Sequence, residues 1–338
     1  MPRSVVTGAT GFVGSNLVEH LRQQGWDVLC LVRDRQKAKH LEELGAELAL
    51  GSLDDIGSLK RATNDADVVF HAAGRVQALT DEQFIADNVE GTRNVARACA
   101  DSSRQTALIY ISSLAAGGPS RPGQPRLESD EDRPISAYGE SKLAAERAAA
   151  SLADQVPLSI VRPPIIFGPR DRNSLKIFTG VQKLRLHAVP GLRNFPVSLV
   201  HVSDLCQALV QIAESGVRVL PSTNGRPNTA PATYYVAAER TIRYGEFGHL
   251  AARSIGCRAV ALPLPKALFW IVGGYFELVG RVRGRAGLLN LDKVREAVAP
   301  GWECSDEKIR TELGYQPTAN LEDRFAETAA WYQENGWL

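Results

Sequence analysis

Short apolar runs alternate with amphipathic stretches through the first half of the chain. Residues 4–7 (SVVT), 27–32 (DVLCLV), 46–50 (AELAL), 66–73 (ADVVFHAA), 106–112 (TALIYIS) and 158–163 (LSIVRP) read as strands. Between them, NLVEHLRQQG (16–25), GSLKRAT (57–63) and GTRNVARACA (91–100) carry helical spacing. This strand–helix rhythm predicts an α/β fold, a parallel sheet covered by helices on both faces. The runs show little alternation, as expected of strands buried on both sides.

The rhythm breaks after Arg162. Residues 117–134 form a polar, Pro-rich loop, and residues 168–196 read as irregular and basic. TYYVAA (233–238) looks like one more core strand. The expected organisation is a core over 1–165, with returning segments near 201–240, and a smaller mixed C-terminal lobe over 166–200 and 241–338. The most hydrophobic segment, ALFWIVGGYFELV (267–279), is too short to span a bilayer and is followed by Arg281, Arg283 and Arg285. The simpler expectation is a buried helix of the smaller lobe; the sharper one is an interfacial helix making peripheral contact with a membrane.

Composition narrows the class. Across 338 residues, 44% are hydrophobic and 23% charged, ordinary for a globular protein. The net charge of +1 gives no basic field for nucleic acid. Five scattered cysteines form no Cys-x-x-Cys, so neither a disulfide framework nor a metal site is expected. A reducing cytoplasm is the default location.

TGATGFVG (7–14) follows the first strand and opens a helix. Gly8 lets the chain turn tightly, Gly11 lets backbone approach a pyrophosphate, and Gly14 lets helix and strand pack closely. The start of the helix offers N–H groups to phosphate. The second strand ends LVRDRQK, placing Arg33 at the position that selects the cofactor, with Arg35 and Lys37 behind it and Asp34 one residue late. An arginine there accommodates a 2′-phosphate, so NADP(H) is the expected cofactor, with NAD(H) the alternative.

Tyr138 and Lys142 lie four apart in ISAYGESKLAAERAAA, a helical stretch that places both on one face. A cation beside a phenol favours the phenolate, which suits proton transfer near neutral pH. The pair is common by chance and gains weight only from the glycine turn and the Ser112–Ser113 strand end before it.

Together TGATGFVG, HAAG (71–74), NVEGTRNV (88–95), ISS (111–113), YGESK (138–142), RPPIIFGP (162–169) and VHVSDL (200–205) resemble the extended short-chain dehydrogenase/reductases. The motifs occur in the family's order over residues 4–205, and ELGYQP (312–317) is also similar. The resemblance implies a Rossmann-type doubly wound sheet with a smaller substrate lobe. It implies that Gly8, Thr10, Gly11 and Gly14, with the backbone of Phe12 and Val13, bind the pyrophosphate. Leu53 and Asp54 match a site against the adenine, although Ser52 stands where the family often has Asp. Ala72 and Ala73 match small residues beside the cofactor, and Asn88 one that supports the site. His71 reads as a packed strand-end residue. Ser113 stands 25 residues before Tyr138, the family's spacing in its sugar epimerases. Ser113 is therefore read as catalytic and Ser112 as a strand-end residue near the nicotinamide ribose. Pro163 and Ile166 match positions along the nicotinamide ring.

The implied chemistry is hydride transfer between nicotinamide and a ketone or alcohol, its direction open. Tyr138 moves the proton, Lys142 lowers its pKa and holds the ribose, and Ser113 bonds the substrate oxygen. No metal is required. The family's sugar branch usually carries Arg-x-x-Asn-x-Tyr-Gly where this chain has Arg162-Pro-Pro-Ile165-Ile-Phe167-Gly168. Without Asn and Tyr, a polar sugar or diphosphate group there would lose about 1–3 kcal/mol. An apolar, steroid-, flavonoid- or lipid-like small-molecule substrate is expected, as in the 3β-hydroxysteroid dehydrogenase and dihydroflavonol reductase branch. A nucleotide-sugar epimerase or dehydratase is the alternative, to which Arg170, Arg172, Lys176, Lys183 and Arg185 could contribute. A non-catalytic NADPH-binding subunit is the second alternative. The resemblance also implies a homodimer through helices 83–100 and 137–152, with a monomer the other reading.

Overall fold

The computed structural model describes residues 1–192, 194–220, 228–284 and 290–338. Its strands are β1 (Arg3–Thr7), β2 (Asp27–Val32), β3 (Glu47–Leu50), β4 (Val68–His71), β5 (Ala107–Ile111), β6 (Leu158–Arg162), β7 (Ile165–Phe167), β8 (Leu186–Pro190), β9 (Pro196–Val197), β10 (Leu199–His201), β11 (Thr233–Tyr235), β12 (Ile242–Arg243) and β13 (Val260–Leu264). Its helices are α1 (Phe12–Gln23), α2 (Lys39–Glu43), α3 (Ile56–Thr63), α4 (Asp81–Phe84), α5 (Gly91–Ala100), α6 (Leu114–Gly117), α7 (Ala137–Ala150), α8 (Arg172–Leu184), α9 (Val202–Ser215), α10 (Tyr244–Ser254), α11 (Lys266–Arg283), α12 (Leu291–Ala297), α13 (Glu307–Leu313) and α14 (Leu321–Glu334). A π-helical stretch, Ile85–Glu90, joins α4 to α5.

Seven strands form one parallel sheet in the order β11-β6-β5-β4-β1-β2-β3. The expected doubly wound Rossmann-type sheet is therefore present. Sequence order reverses between β1 and β4, and a ligand crevice opens beyond the carboxyl ends of strands at such a reversal. Every residue of β4 and β6 is buried, as continuous apolar runs require. One core cluster joins the sheet to Leu17 and Val18 of α1 and to Cys206 and Leu209 of α9. Another, on α3, α5 and α7, contains Leu59, Val95, Ala145 and Ala149.

The smaller lobe has its own aromatic core, in which Phe167, Phe178, Phe247, Phe325 and Tyr332 are buried. The Phe167 ring lies 4.5 Å from that of Phe325. Phe167 thus packs inside the lobe and says nothing about substrate polarity; its missing hydroxyl is a packing matter.

Three expectations change. Within the stretch expected to be irregular, residues 172–184 form α8 and 186–190 form β8. Asp171 accepts from the backbone N–H groups of Asn173 (2.8 Å) and Ser174 (2.9 Å), which starts α8, and β8 pairs with β13 behind it. The 241–338 stretch returns one piece to the sheet: Ile309 and Tyr315 lie in the α1–α9 core, and the Tyr315 hydroxyl donates to the Ala237 carbonyl at 3.2 Å. The buried-helix expectation for 267–279 is overturned. On α11, Ile271 is 69% and Leu278 62% exposed, while only Gly273 and Gly280 are buried. Gly273 backs onto α12, where a Cβ would meet Val294 at 2.5 Å. Arg285 lies outside the described residues.

Candidate functional site

The glycine turn meets the end of β4 at the reversal point of the sheet. Gly8 adopts φ +71°, and a Cβ there would stand 2.6 Å from the Ala73 nitrogen and 2.8 Å from the Ala72 carbonyl carbon. Both demands exclude a side chain. A Cβ on Gly14 would come within 2.2 Å of the Gly8 carbonyl oxygen, which is why α1 can start so close to β1. The Gly11 N–H donates to that same oxygen at 2.9 Å. Among the described residues no side chain caps α1 at Gly11, which leaves the first N–H groups of the helix for an anion. Thr10 and Gly11 are exposed beside them. Phe12, Val13, Ala72 and Ile166 are all half-buried against the same core cluster. An uncapped helix start over a cradle that a Cβ would fill suits a dinucleotide pyrophosphate.

At the end of β2, Arg33 is exposed. Asp34 turns back on its own chain and accepts from the N–H groups of Gln36 (2.9 Å) and Lys37 (3.3 Å). Those bonds and the Lys37 charge hold its carboxyl below the usual range. Lys37 and Arg35 are engaged as well, with Lys37 Nζ 3.6 Å from Asp34 and Arg35 Nη2 2.9 Å from Glu42. Among the described residues, Arg33 is the cation of the three that forms no ion pair. Further along, Ser52 hydrogen-bonds Asp54, and with the Arg33 charge this lowers the Asp54 pKa. Leu53 is fixed by α5: its carbonyl accepts from Asn94 Nδ2 at 2.9 Å, and its side chain fills the space at Gly91.

Ser113, Tyr138 and Lys142 converge at the carboxyl edge of β5. Ser136 caps α7 by accepting from Gly139 N–H at 3.0 Å, which sets the helix so that Tyr138 and Lys142 share one face. Ser113 ends the strand, caps the short α6 and hydrogen-bonds the Tyr138 phenol. Lys142 Nζ donates to the Ile111 carbonyl at 2.8 Å and stands 4.3 Å from the Tyr110 ring centre. Asn88 accepts from the Arg75 N–H at 2.6 Å and donates to Ser141 Oγ at 2.8 Å, tying the π-helical stretch to α7. Pro163 is buried, and its carbonyl accepts from Leu114 N–H at 2.9 Å. His71 is fully buried between Thr7 (2.6 Å) and Thr92 (2.9 Å), with its pKa pushed down to about 3 by burial.

The electrostatics depart from expectation. Burial pushes the Tyr138 phenol up to about 12, opposed by the Ser113 hydrogen bond and reinforced by the Glu296 charge. Burial pushes Lys142 down to about 7, opposed by the Glu146 charge. Among the protein's own groups, desolvation outweighs the cation–phenol effect.

Several residues here were missed by the sequence reading. Glu146, one turn beyond Lys142, is fully buried. It accepts from Ser112 Oγ (2.5 Å), Arg162 Nε (2.9 Å) and Arg162 Nη2 (2.6 Å). Asp132, from the Pro-rich loop, holds the other side of Arg162 at 2.6 and 3.1 Å. Ser112 is therefore bound into a charged network beneath the site. From the smaller lobe, Asp292 of α12 accepts from the N–H groups of Ala137 (2.7 Å) and Tyr138 (3.3 Å). Lys293 Nζ lies 4.4 Å from the Tyr138 ring centre. A cavity of about 330 Å³ opens alongside, between α4, the start of α7, α11 and α12. Phe84 lines it and lies 6.2 Å, centre to centre, from the Tyr138 ring.

The sequence signature described as the NAD dependent epimerase/dehydratase family matches residues 4–223. A ceramide reductase of Caulobacter vibrioides is 30% identical, covering 98% of this chain and 95% of the relative. A 4-hydroxy-2-methyl-3-oxo-4-farnesyl-3,4-dihydroquinoline-1-oxide ketoreductase of Stigmatella aurantiaca is 32% identical, covering 93% and 91%. Among solved structures, that of gox2253 superposes with a TM-score of 0.78 at 26% identity, covering 100% of each chain.

Proposed function

This chain belongs to the NAD dependent epimerase/dehydratase family, and from that premise we propose that it reduces a ketone on an apolar, lipid-like substrate through Ser113, Tyr138 and Lys142. It is an NAD(P)-dependent oxidoreductase, like the reductases and dehydrogenases it is similar to. The observation that carries the finer reading is the convergence of Ser113, Tyr138 and Lys142 beside a cavity that Phe84 lines.

The reduced nicotinamide, when bound, supplies the hydride to the carbonyl carbon. Tyr138 gives its proton to the carbonyl oxygen, so that ketone becomes alcohol. Ser113 hydrogen-bonds the same oxygen and holds it within reach. Lys142 holds the ribose hydroxyls and, as an ammonium, offsets the negative charge that develops on the phenolate. A phenol whose pKa burial raises to about 12 keeps its proton at neutral pH and is ready to act as the donor.

The cavity wall combines Leu79, Phe84 and Leu291 with Arg281 and Arg295 and with the carboxylates of Asp81, Glu277 and Asp292. That mixture supports an apolar molecule bearing a polar end. Arg33, exposed while Asp34 is occupied by its own turn, supports NADP(H). A KM for NADH clearly below that for NADPH would overturn that preference.

The test is NADPH oxidation over a panel of long-chain and cyclic ketones. Tyr138→Phe should lower kcat about 10²–10⁴-fold while NADPH fluorescence binding stays within a few fold. Wild-type turnover by Tyr138→Phe would sink the proton assignment. Binding of NADPH without turnover on any carbonyl would favour a non-catalytic role, and a co-purified nucleotide sugar would favour the epimerase branch.

A further inference from the structure

Helix α11 carries an outward apolar stripe. Leu268, Ile271, Tyr275, Leu278 and Val282 follow one another at spacings of three and four and are 42%, 69%, 63%, 62% and 81% exposed. Trp270 and Phe276 extend the face to either side, at 38% and 45%. Small residues occupy the opposite side, where Gly273 and Gly280 are buried and Gly273 packs on Val294 of α12. Further apolar residues are exposed on the pair of strands that leads into the helix: β13 precedes α11 and pairs with β8, and Val260, Leu262, Leu186 and the neighbouring Leu184 are exposed there. Apolar surface this extensive marks an interaction site.

Charge identifies the occupant. The helix ends with exposed Arg283, and Lys183, Arg185 and Arg258 are exposed beside the β8 and β13 leucines, while Lys266 at the helix start is exposed and donates to the Val298 carbonyl at 2.6 Å. The one acid on the helix, Glu277, is taken up by Arg281 at 2.7 Å and by the Leu291 N–H at 3.2 Å. A coiled-coil partner wants a narrow stripe flanked by charges of both signs. This face is broad, uncharged along its length and basic at its margins, which suits an anionic lipid surface. Among the described residues no helix is long and apolar enough to cross a membrane. We propose that α11 lies flat in the interface of an anionic phospholipid bilayer, with the β8–β13 leucines beside it.

Docking would set the cavity next to the lipid, because Glu277 and Arg281 of the same helix line it. The proposal does not depend on the substrate reading. The full chain is co-sedimented with phosphatidylcholine vesicles, with and without phosphatidylglycerol. Expected is binding to the anionic vesicles that weakens with salt and falls at least about tenfold in Ile271→Glu/Leu278→Glu. Both positions are exposed, so the double variant should melt like wild type and keep turnover on a water-soluble ketone. Absence of vesicle binding by the wild type, or binding untouched by the double variant, would overturn the proposal. So would a wild-type dimer in light scattering that the same substitutions dissociate, since a second copy would then cover the face.

Discussion

Glu146→Gln tests whether the buried network beneath the site controls Lys142. Glu146 is fully buried and takes three hydrogen bonds, two of them from Arg162, which is 2% exposed. Breaking a buried ion pair costs about 3–5 kcal/mol. Asp132 still grips Arg162 at 2.6 and 3.1 Å, so the lower end, about 3 kcal/mol, applies. Unfolding entropy of ~2.1 cal/mol/K per residue gives ~0.7 kcal/mol/K for 338 residues, and hence a Tm lower by about 4 °C. The functional effect has a definite sign. The Glu146 charge raises the pKa of Lys142, which burial has already lowered to about 7. Without that charge, and with the Arg162 charge less compensated, Lys142 loses its proton at still lower pH. NADPH affinity, followed by fluorescence, should weaken with rising pH through the Lys142 pKa, and the midpoint should move to lower pH in Glu146→Gln. Glu146→Asp should recover part of the shift. A midpoint that stays put or rises, alongside the Tm loss, would leave Glu146 a structural residue only and refute the coupling.

Lys142→Met should be more stable than wild type at pH 6, because burial disfavours the ammonium. Its folded pKa of about 7 lies below the ordinary 10.5, so the destabilisation is full below 7 and fades as pH rises between the two values. Calorimetry should therefore show a Tm gap that is widest at pH 6 and closes toward pH 10; a pH-independent gap would contradict the assignment. Gly14→Ala puts a Cβ 2.2 Å from the Gly8 carbonyl oxygen, a backbone atom that cannot swing aside. Overpacking of about 1–3 kcal/mol and at least tenfold weaker NADPH binding are expected. Unchanged affinity would separate the turn from the cofactor.

What the sequence made legible follows from where each constraint acts. The strands were legible because burial on both faces demands uninterrupted apolar runs, and the boundaries fall within a few residues of those expected. The glycine turn was legible because its demands fall on the backbone, where only glycine meets a φ of +71° or a 2.2 Å approach. Glu146 was not. In LAAERAAA a glutamate reads as a solvated helix charge, and its partners Ser112 and Arg162 lie 34 and 16 residues away. The α12 sequence LDKVREA likewise reads as solvated, and its contacts with α7 cross about 155 residues of chain. For α11 the composition was read correctly and the burial was not: an apolar run records affinity for an apolar neighbour, and only the tertiary fold says whether the protein provides one. The 168–196 stretch failed through capping chemistry. Asp171 starts a helix there, but its signal was hidden among arginines and a preceding proline.

The contacts of α12 bear on how substrate and proton chemistry are joined. The first N–H groups of α7 have no acceptor within the helix itself, and the helix dipole makes that end attractive to a carboxylate. Asp292 fills the place from the other lobe, and Ser136 Oγ reaches Glu296 at 2.6 Å across the same boundary. Lys293 then lies over the ring of Tyr138 itself. The cavity is bounded on one side by this clamp, through Asp292 and Arg295, and on another by α11. A displacement of α12 by a ligand therefore cannot leave Tyr138 unaffected, because it alters the capping of its helix and the cation over its ring together. The Glu296 charge already counts among the causes that raise the phenol pKa, so moving α12 away would lower it. The position of the smaller lobe is thus an input to the proton-donating strength of Tyr138, and the lobe proposed to select the substrate also tunes the residue proposed to protonate it.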